Sequence, residues 1–124
     1  MPTAQRVKDF IAMVVEENHI EAIVEFYHDD ASMQENLTSP RRGKTHLIAH
    51  EKESHKKIQS METFSPLKVY IDEDNVAIHW VFEIIDSLGQ RRRLEEVALQ
   101  SWKGDKIIKE QFFYDSATAW HPVD

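Results

Sequence analysis

The sequence predicts an α+β fold with helices packed on one face of a strongly curved, mostly antiparallel sheet. Three observations carry this: apolar residues recur at helical spacing early in the chain, alternate in long runs after Pro66, and alternate once briefly in between. With 124 residues, 41% of them hydrophobic, and only 3 Gly and 4 Pro, residues 1–124 are expected to form a single domain without a linker.

Val7, Phe10, Ile11, Val14 and Val15 keep a spacing of three and four and predict the first helix. Ile20, Ile23, Val24 and Tyr27 predict a second, opened by Asn18 and Glu21 in a capping-box pattern. Asp29 and Asp30 are expected to make the turn that ends it. Beyond them Ala31, Met33 and Glu35 fall on one side of a strand, with Ser32, Gln34 and Asn36 on the other. The loop LTSPRRG closes that strand, and a third helix is expected from about Thr45 to Ile58. After Ser65-Pro66 come four runs of strand pattern, LKVYID, VAIHWVFEIID, RRRLEEVALQSW and KIIKEQFFYD. The turn-rich pieces EDN, SLGQ and KGD separate them, as in an antiparallel meander.

Composition narrows the function classes. A formal charge of -7 repels phosphate backbones and anionic lipid surfaces, which argues against nucleic-acid and membrane partners. The chain has no Cys, so a disulfide framework, a thiolate nucleophile and a cysteine zinc site are all excluded. The segment MPTAQRVKDF carries no apolar signal region, and a cytoplasmic location is expected. No glycine-rich phosphate loop, nucleophile elbow or dinucleotide fingerprint is present, and no cofactor is expected.

Two elements break the ordinary amphipathic pattern. Counting along the third helix from Leu47 gives His50, Glu51, Ser54 and Ile58, a stripe with three polar side chains between two apolar ones. Dry burial without partners would cost about 1–3 kcal/mol for each, so the stripe faces either water or a polar cavity. In VAIHWVFEIID, one face is Val76, Ile78, Trp80, Phe82 and Ile84, and the other is Ala77, His79, Val81, Glu83 and Ile85. Both are largely apolar. A homodimer through the outer sheet face explains this, the alternative being a strand covered on both sides by its own chain.

Histidine spacing argues against a metal site. His46 and His50 are four apart but lack an obvious third ligand, whereas His50 and His55 in HEKESH are five apart, about 140° round a helix. No metal site is expected on this count.

Several segments together resemble a known family. PTAQ at positions 2 to 5, NHIEAIVEFYHDDASMQEN and RRGKTHLIAHE look like the N-terminal half of bacterial ketosteroid isomerases and of the nuclear transport factor 2-like superfamily. With VAIHWVFE and IIKEQFFYD the whole chain is similar to SnoaL-like proteins. The resemblance implies a cone-shaped α+β barrel, cystatin-like, in which three helices close the mouth of a bent sheet around one pocket, usually in a dimer. It aligns Glu35 with the general-base aspartate of the isomerases and puts His50 on the pocket side of the third helix. The oxyanion-holding pair does not carry over: the tyrosine position holds apolar Ile11 or Val14, and the aspartic acid aligns with Ala98. Without those donors steroid isomerase chemistry is not expected.

The same alignment turns Leu94, Glu96, Ala98, Gln100 and Trp102 inward, together with Glu110, Phe112 and Tyr114. It implies Glu35 and His50 as catalytic residues. Tyr27, Met33, Trp80, Glu96, Trp102, Glu110, Phe112 and Tyr114 are implied as contacts to a small hydrophobic molecule. Converging carboxylates would raise at least one carboxyl pKa. Plainer roles stand beside these. Glu35 can be a solvated strand-end charge or be tied to Arg41, Arg42 or a helix N-terminus, and Glu96 and Glu110 can pair with Arg91, Arg92, Arg93 or Lys109 across strands. His50 can be a surface histidine, and Tyr114 a core aromatic with a polar tip. Three functions remain open: an acid/base enzyme of isomerase, cyclase, dehydratase or hydrolase type, a non-catalytic binder using the same pocket, and a dimeric interaction module.

Overall fold

The computed structural model describes residues 1–124. Two helices, α1 (Ala4–Val15) and α2 (His19–Phe26), lead into β1 (Tyr27–Glu35) and the two-residue β2 (Arg41–Arg42). Helix α3 (Lys44–Lys56) follows, then β3 (Ile58–Thr63), β4 (Lys68–Asp72), β5 (Asn75–Asp86), β6 (Arg91–Lys103), β7 (Lys106–Phe113) and β8 (His121–Pro122). One curved sheet contains every strand, in the order β2-β1-β7-β6-β5-β3, with β4 also on β5 and β8 on β6. All pairings are antiparallel except β1 with β7. This is the α+β arrangement expected, with the β4-β5-β6-β7 meander intact. No helix is long and apolar enough to cross a membrane.

Local chemistry explains where the elements start and stop. Thr3 caps α1 by accepting from the Arg6 backbone N–H at 3.0 Å, and Val7, Phe10 and Val14 form its buried stripe. The helix closes through Glu17 in a left-handed conformation (φ 66), with the Asn18 N–H reaching back to Met13 O at 2.9 Å. That bond forestalls the capping box at Asn18 and Glu21. A box needs the N-cap N–H free for the glutamate, and here it is already used, so Asn18 occupies the cap position without a side-chain bond.

Tyr27 and the aspartates also depart from expectation. Tyr27 opens β1 rather than ending α2, and Asp29 and Asp30 lie within the strand, where its register against β7 slips between Tyr27 and Ser32. They form an exposed bulge instead of a turn. Helix α3 stops at Lys56, and Ile58 begins β3, a strand the hydrophobic pattern did not reveal. In IQSMET the inward-leaning apolar residues Ile58 and Met61 are three apart, a helical spacing that extends the α3 pattern by mistake.

The core lies between the helices and the inner sheet face. From β5 it takes Val76, Ile78, Trp80 and Phe82, from β6 Leu94, Ala98 and Trp102, and from the helices Val7, Phe10, Ala22, Ile23, Phe26 and Leu47. Burial along β6 alternates strictly from Leu94 to Trp102, yet two of the five inward residues, Glu96 and Gln100, are polar. An inner face that buries a carboxyl is not only a packing surface.

Candidate functional site

The ladder of the sheet sets three rows of side chains across the inner face. Met33 on β1 is opposite Glu110 on β7, which is opposite Gln100 on β6. One pleat further, Glu35 is opposite Phe112, which is opposite Ala98, and one pleat beyond that Glu96 stands across from Trp80 on β5. Asn36 finishes β1 in a left-handed turn (φ 47), its N–H bonded to Phe112 O at 2.7 Å and its Oδ1 accepting from the Tyr114 N–H at 3.0 Å. That knot aligns the ends of β1 and β7, and with them Glu35 and Tyr114.

Between these rows and the helices lies a cavity of about 380 Å³. The structure brings nine of the ten side chains expected at the site to its wall: Tyr27, Met33, Glu35, His50, Trp80, Glu96, Glu110, Phe112 and Tyr114. Trp102 does not reach it. Phe10 packs edge-on against its indole at 6.3 Å between ring centroids, and Nε1–H donates to Gln100 Oε1 at 3.0 Å, so the ring supports the floor from beneath. On α3, Glu51, Ser54 and His55 line the cavity, so the polar stripe faces a polar cavity. His50 also lines it, but from an exposed position on α3.

The polar groups of the wall differ sharply in how they are satisfied. Both Glu35 oxygens accept from the Arg41 guanidinium, at 2.6 Å from Nη1 and 2.8 Å from Nη2, a bidentate fork set up by the Met33–Arg41 pairing of β1 and β2. The Arg41 Nε–H is buried without an acceptor. Glu110 is fully buried and accepts from Tyr27 Oη–H on one oxygen and from Gln100 Nε2 at 2.7 Å on the other. Burial nevertheless outweighs those two bonds, and with the charges of Glu51 and Glu35 it pushes the Glu110 pKa up to about 7. Glu96 is pushed to about 8 by burial and by the neighbouring charges of Glu110, Glu35 and Glu51. Burial and the charge of Glu110 likewise hold the Tyr27 hydroxyl well above its ordinary value, and burial with Glu35 and Glu96 raises Tyr114.

Cross-strand ion pairs do not account for the two glutamates. Arg91 and Arg93 both turn to Glu83 on the outer face, and Arg92 goes to Asp86. Parity explains the first two: odd-numbered residues of β6 face outward and Glu96 inward.

Among the polar and aromatic lining residues, His19, His55, Arg41 and Trp120 escaped the sequence pattern as cavity groups. His19 reads as the first residue of a helix, and Arg41 as part of a turn-rich loop. His55 pairs poorly with the other histidines in spacing, but Glu51 and His55 stand four apart, the spacing that sets two ligating groups on one helix face. Trp120 lies in a tail without periodicity.

A family model described as a SnoaL-like domain matches residues 7–110. Among solved structures, a candidate SnoaL-like polyketide cyclase from Mesorhizobium loti superposes with a TM-score of 0.77 at 23% identity, over 92% of this chain and 100% of that one. TerC, co-crystallised with polyporic acid, gives 0.77 at 15% identity over 91% of each chain. An LEH-like epoxide hydrolase from M. tuberculosis gives 0.75 at 13% identity over 93% of this chain and 84% of that one. Likeness at these identities establishes the fold alone. No curated protein sequence matches significantly. With the family model spanning most of its length, the chain belongs to the SnoaL-like domain family.

Proposed function

We propose that the cavity is an acid/base site for a small, largely apolar molecule carrying an oxygen function, with Glu96 as the proton-bearing acid and Glu110 as the base. One observation carries this: two inward carboxyls without a cationic partner, on adjacent strands, with pKa values pushed to about 8 and about 7. At neutral pH Glu96 holds its proton and can donate to a carbonyl, hydroxyl or epoxide oxygen. Glu110, near half ionisation, can take a proton directly or through Tyr27 Oη. Aromatic walls at Trp80, Phe112 and Tyr114 suit an apolar body, and the unpaired Arg41 Nε–H suits a second ligand oxygen.

Glu35 in this scheme holds Arg41 rather than taking a proton, because both its oxygens are already engaged. His50 stands at the exposed rim, where it meets a ligand on entry. The reading is supported by relatives of this fold described as a candidate polyketide cyclase and as an epoxide hydrolase. We read the helices and sheet as a cone-shaped barrel of one domain with the cavity at its wide end. The outer face, where Val97, Leu99, Phe113 and Tyr70 are exposed, is its homodimer surface.

The test is turnover of a panel of cyclic ketones, enols and small epoxides by the wild type and by Glu96→Gln. Loss of kcat by about 10²–10⁴-fold with an unchanged circular dichroism spectrum is expected. Equal turnover by both proteins removes Glu96 as acid. Saturable binding of panel compounds without product would make the protein a binder.

A further inference from the structure

At the junction of α2 and α3, apart from the Glu96–Glu110 pair, three side chains converge without a mechanistic role. His19 opens α2, and Glu51 and His55 lie one turn apart on α3. The Glu51 Oε1 is 3.6 Å from His19 Nδ1 and 3.1 Å from His55 Nε2, and the three donor atoms lie within 4.8 Å of one another. Nitrogen and oxygen ligands at about 2.0–2.2 Å from a tetrahedral cation sit roughly 3.3–3.6 Å apart, so the spacing is already close to that of a coordination shell.

Two further observations point the same way. The other ring nitrogen of His19, Nε2, lies 3.0 Å from Glu17 Oε1 and 3.0 Å from Thr63 Oγ1, and Glu17 is itself anchored by the Thr63 N–H at 2.9 Å. A carboxylate on the far side of a histidine keeps the proton on that nitrogen and leaves the near one as a lone-pair donor, the usual support of a ligating imidazole. His55 Nε2 is also buried and has no hydrogen-bond partner, despite its closeness to Glu51. A buried polar atom left unsatisfied is costly, and a cation at the centre of the three would satisfy it.

We propose that His19, Glu51 and His55 form a binding site for a divalent first-row transition ion of the zinc type. Two imidazoles and one carboxylate, with no sulfur, suit Zn²⁺ and its neighbours, while Mg²⁺ and Ca²⁺ require shells of oxygen. All three side chains line the 380 Å³ cavity, and His19 and His55 also line a smaller one of about 220 Å³, so the cation keeps a position for water or a ligand oxygen.

The test is calorimetric titration of chelator-treated protein with Zn²⁺, and Co²⁺ titration followed by visible d–d absorption. One equivalent should bind, with tetrahedral-type Co²⁺ absorption that Mg²⁺ does not displace. His55→Ala and Glu51→Gln should each weaken Zn²⁺ binding by at least about 100-fold, and Glu17→Gln by about 10–100-fold. His46→Ala, on the exposed side of α3, should leave it unchanged, as should Glu96→Gln, which separates this site from the acid/base assignment. Zn²⁺-induced shifts of the His19 and His55 imidazole resonances in the wild type give a readout free of any folding defect in the variants. Absence of stoichiometric binding, affinity retained in His55→Ala and Glu51→Gln, or resonance shifts confined to other histidines would overturn the assignment.

Discussion

Glu83 and Glu96 are buried almost equally, at 7% and 8% exposure, on neighbouring strands but opposite faces of the sheet. On the outer face, Glu83 receives Arg93 Nε at 2.8 Å and Nη2 at 2.5 Å, with Arg91 Nη1 at 3.5 Å. On the inner face, Glu96 meets aromatic rings and other carboxylates, and its pKa climbs to about 8. The difference separates two uses of a buried acid. One is neutralised by its partners and holds strands together. The other is neutralised by a proton, which can be handed to a ligand.

The comparison is broken most severely by removing the cations from Glu83. Arg91→Ala with Arg93→Ala leaves a buried carboxylate unpaired, and a loss of about 3 kcal/mol, seen as a fall in Tm of more than about 10 °C, is expected by calorimetry. Glu96→Gln should act in the opposite direction. Because the folded pKa of Glu96 is raised from 4.5 to about 8, the native state holds a proton that the unfolded state has lost between those values. Its contribution to stability is full below about pH 4.5 and lost as pH rises through about 8. Thermal melts should therefore show Glu96→Gln matching the wild type at pH 4 and exceeding it by up to about 10 °C at pH 9.

Tyr27→Phe sharpens the inner side alone. Deleting one of the two donors to Glu110 should raise that carboxyl pKa by about one unit, read by ¹³C carboxyl NMR, and cost about 1 kcal/mol in denaturant unfolding. The smallest effect belongs to Glu95→Gln, next to Glu96 in sequence but exposed on the outer face beside His79 at 2.8 Å. Its unfolding free energy should stay within about 0.5 kcal/mol of the wild type.

The strand meander was legible from its long strand-rich runs and the turns between them, whereas the inward side of β6 came from the family resemblance, because Val97, Ala98 and Leu99 are apolar in succession and mark neither face. The convergence of Glu96 and Glu110 came with the same resemblance and is realised where β7 pairs with β6. β3 was hidden because its apolar residues happen to keep a helical spacing. The Glu35–Arg41 fork is one pairing among several in the sequence, since nothing local distinguishes Arg41 from Arg42 until β2 pairs with β1. Trp102 had the right parity and the wrong depth: parity gives the direction of a side chain but not what stands in front of it, and here Phe10 does. The His19–Glu51–His55 cluster joins two helices through their packing, a relation with no local period.

The single parallel pairing, β1 against β7, has a consequence for how the protein is made. Tyr27 and Glu110, joined by a hydrogen bond, are 83 positions apart, and the strand bearing Glu110 leaves the ribosome after the three helices and β1 to β6. Closing so long a span is entropically slow, so helices and hairpins can assemble while the cavity is still open on one side. During synthesis the chain therefore carries Glu96 in a wet, ordinary setting, and its altered acidity is switched on only when β7 docks.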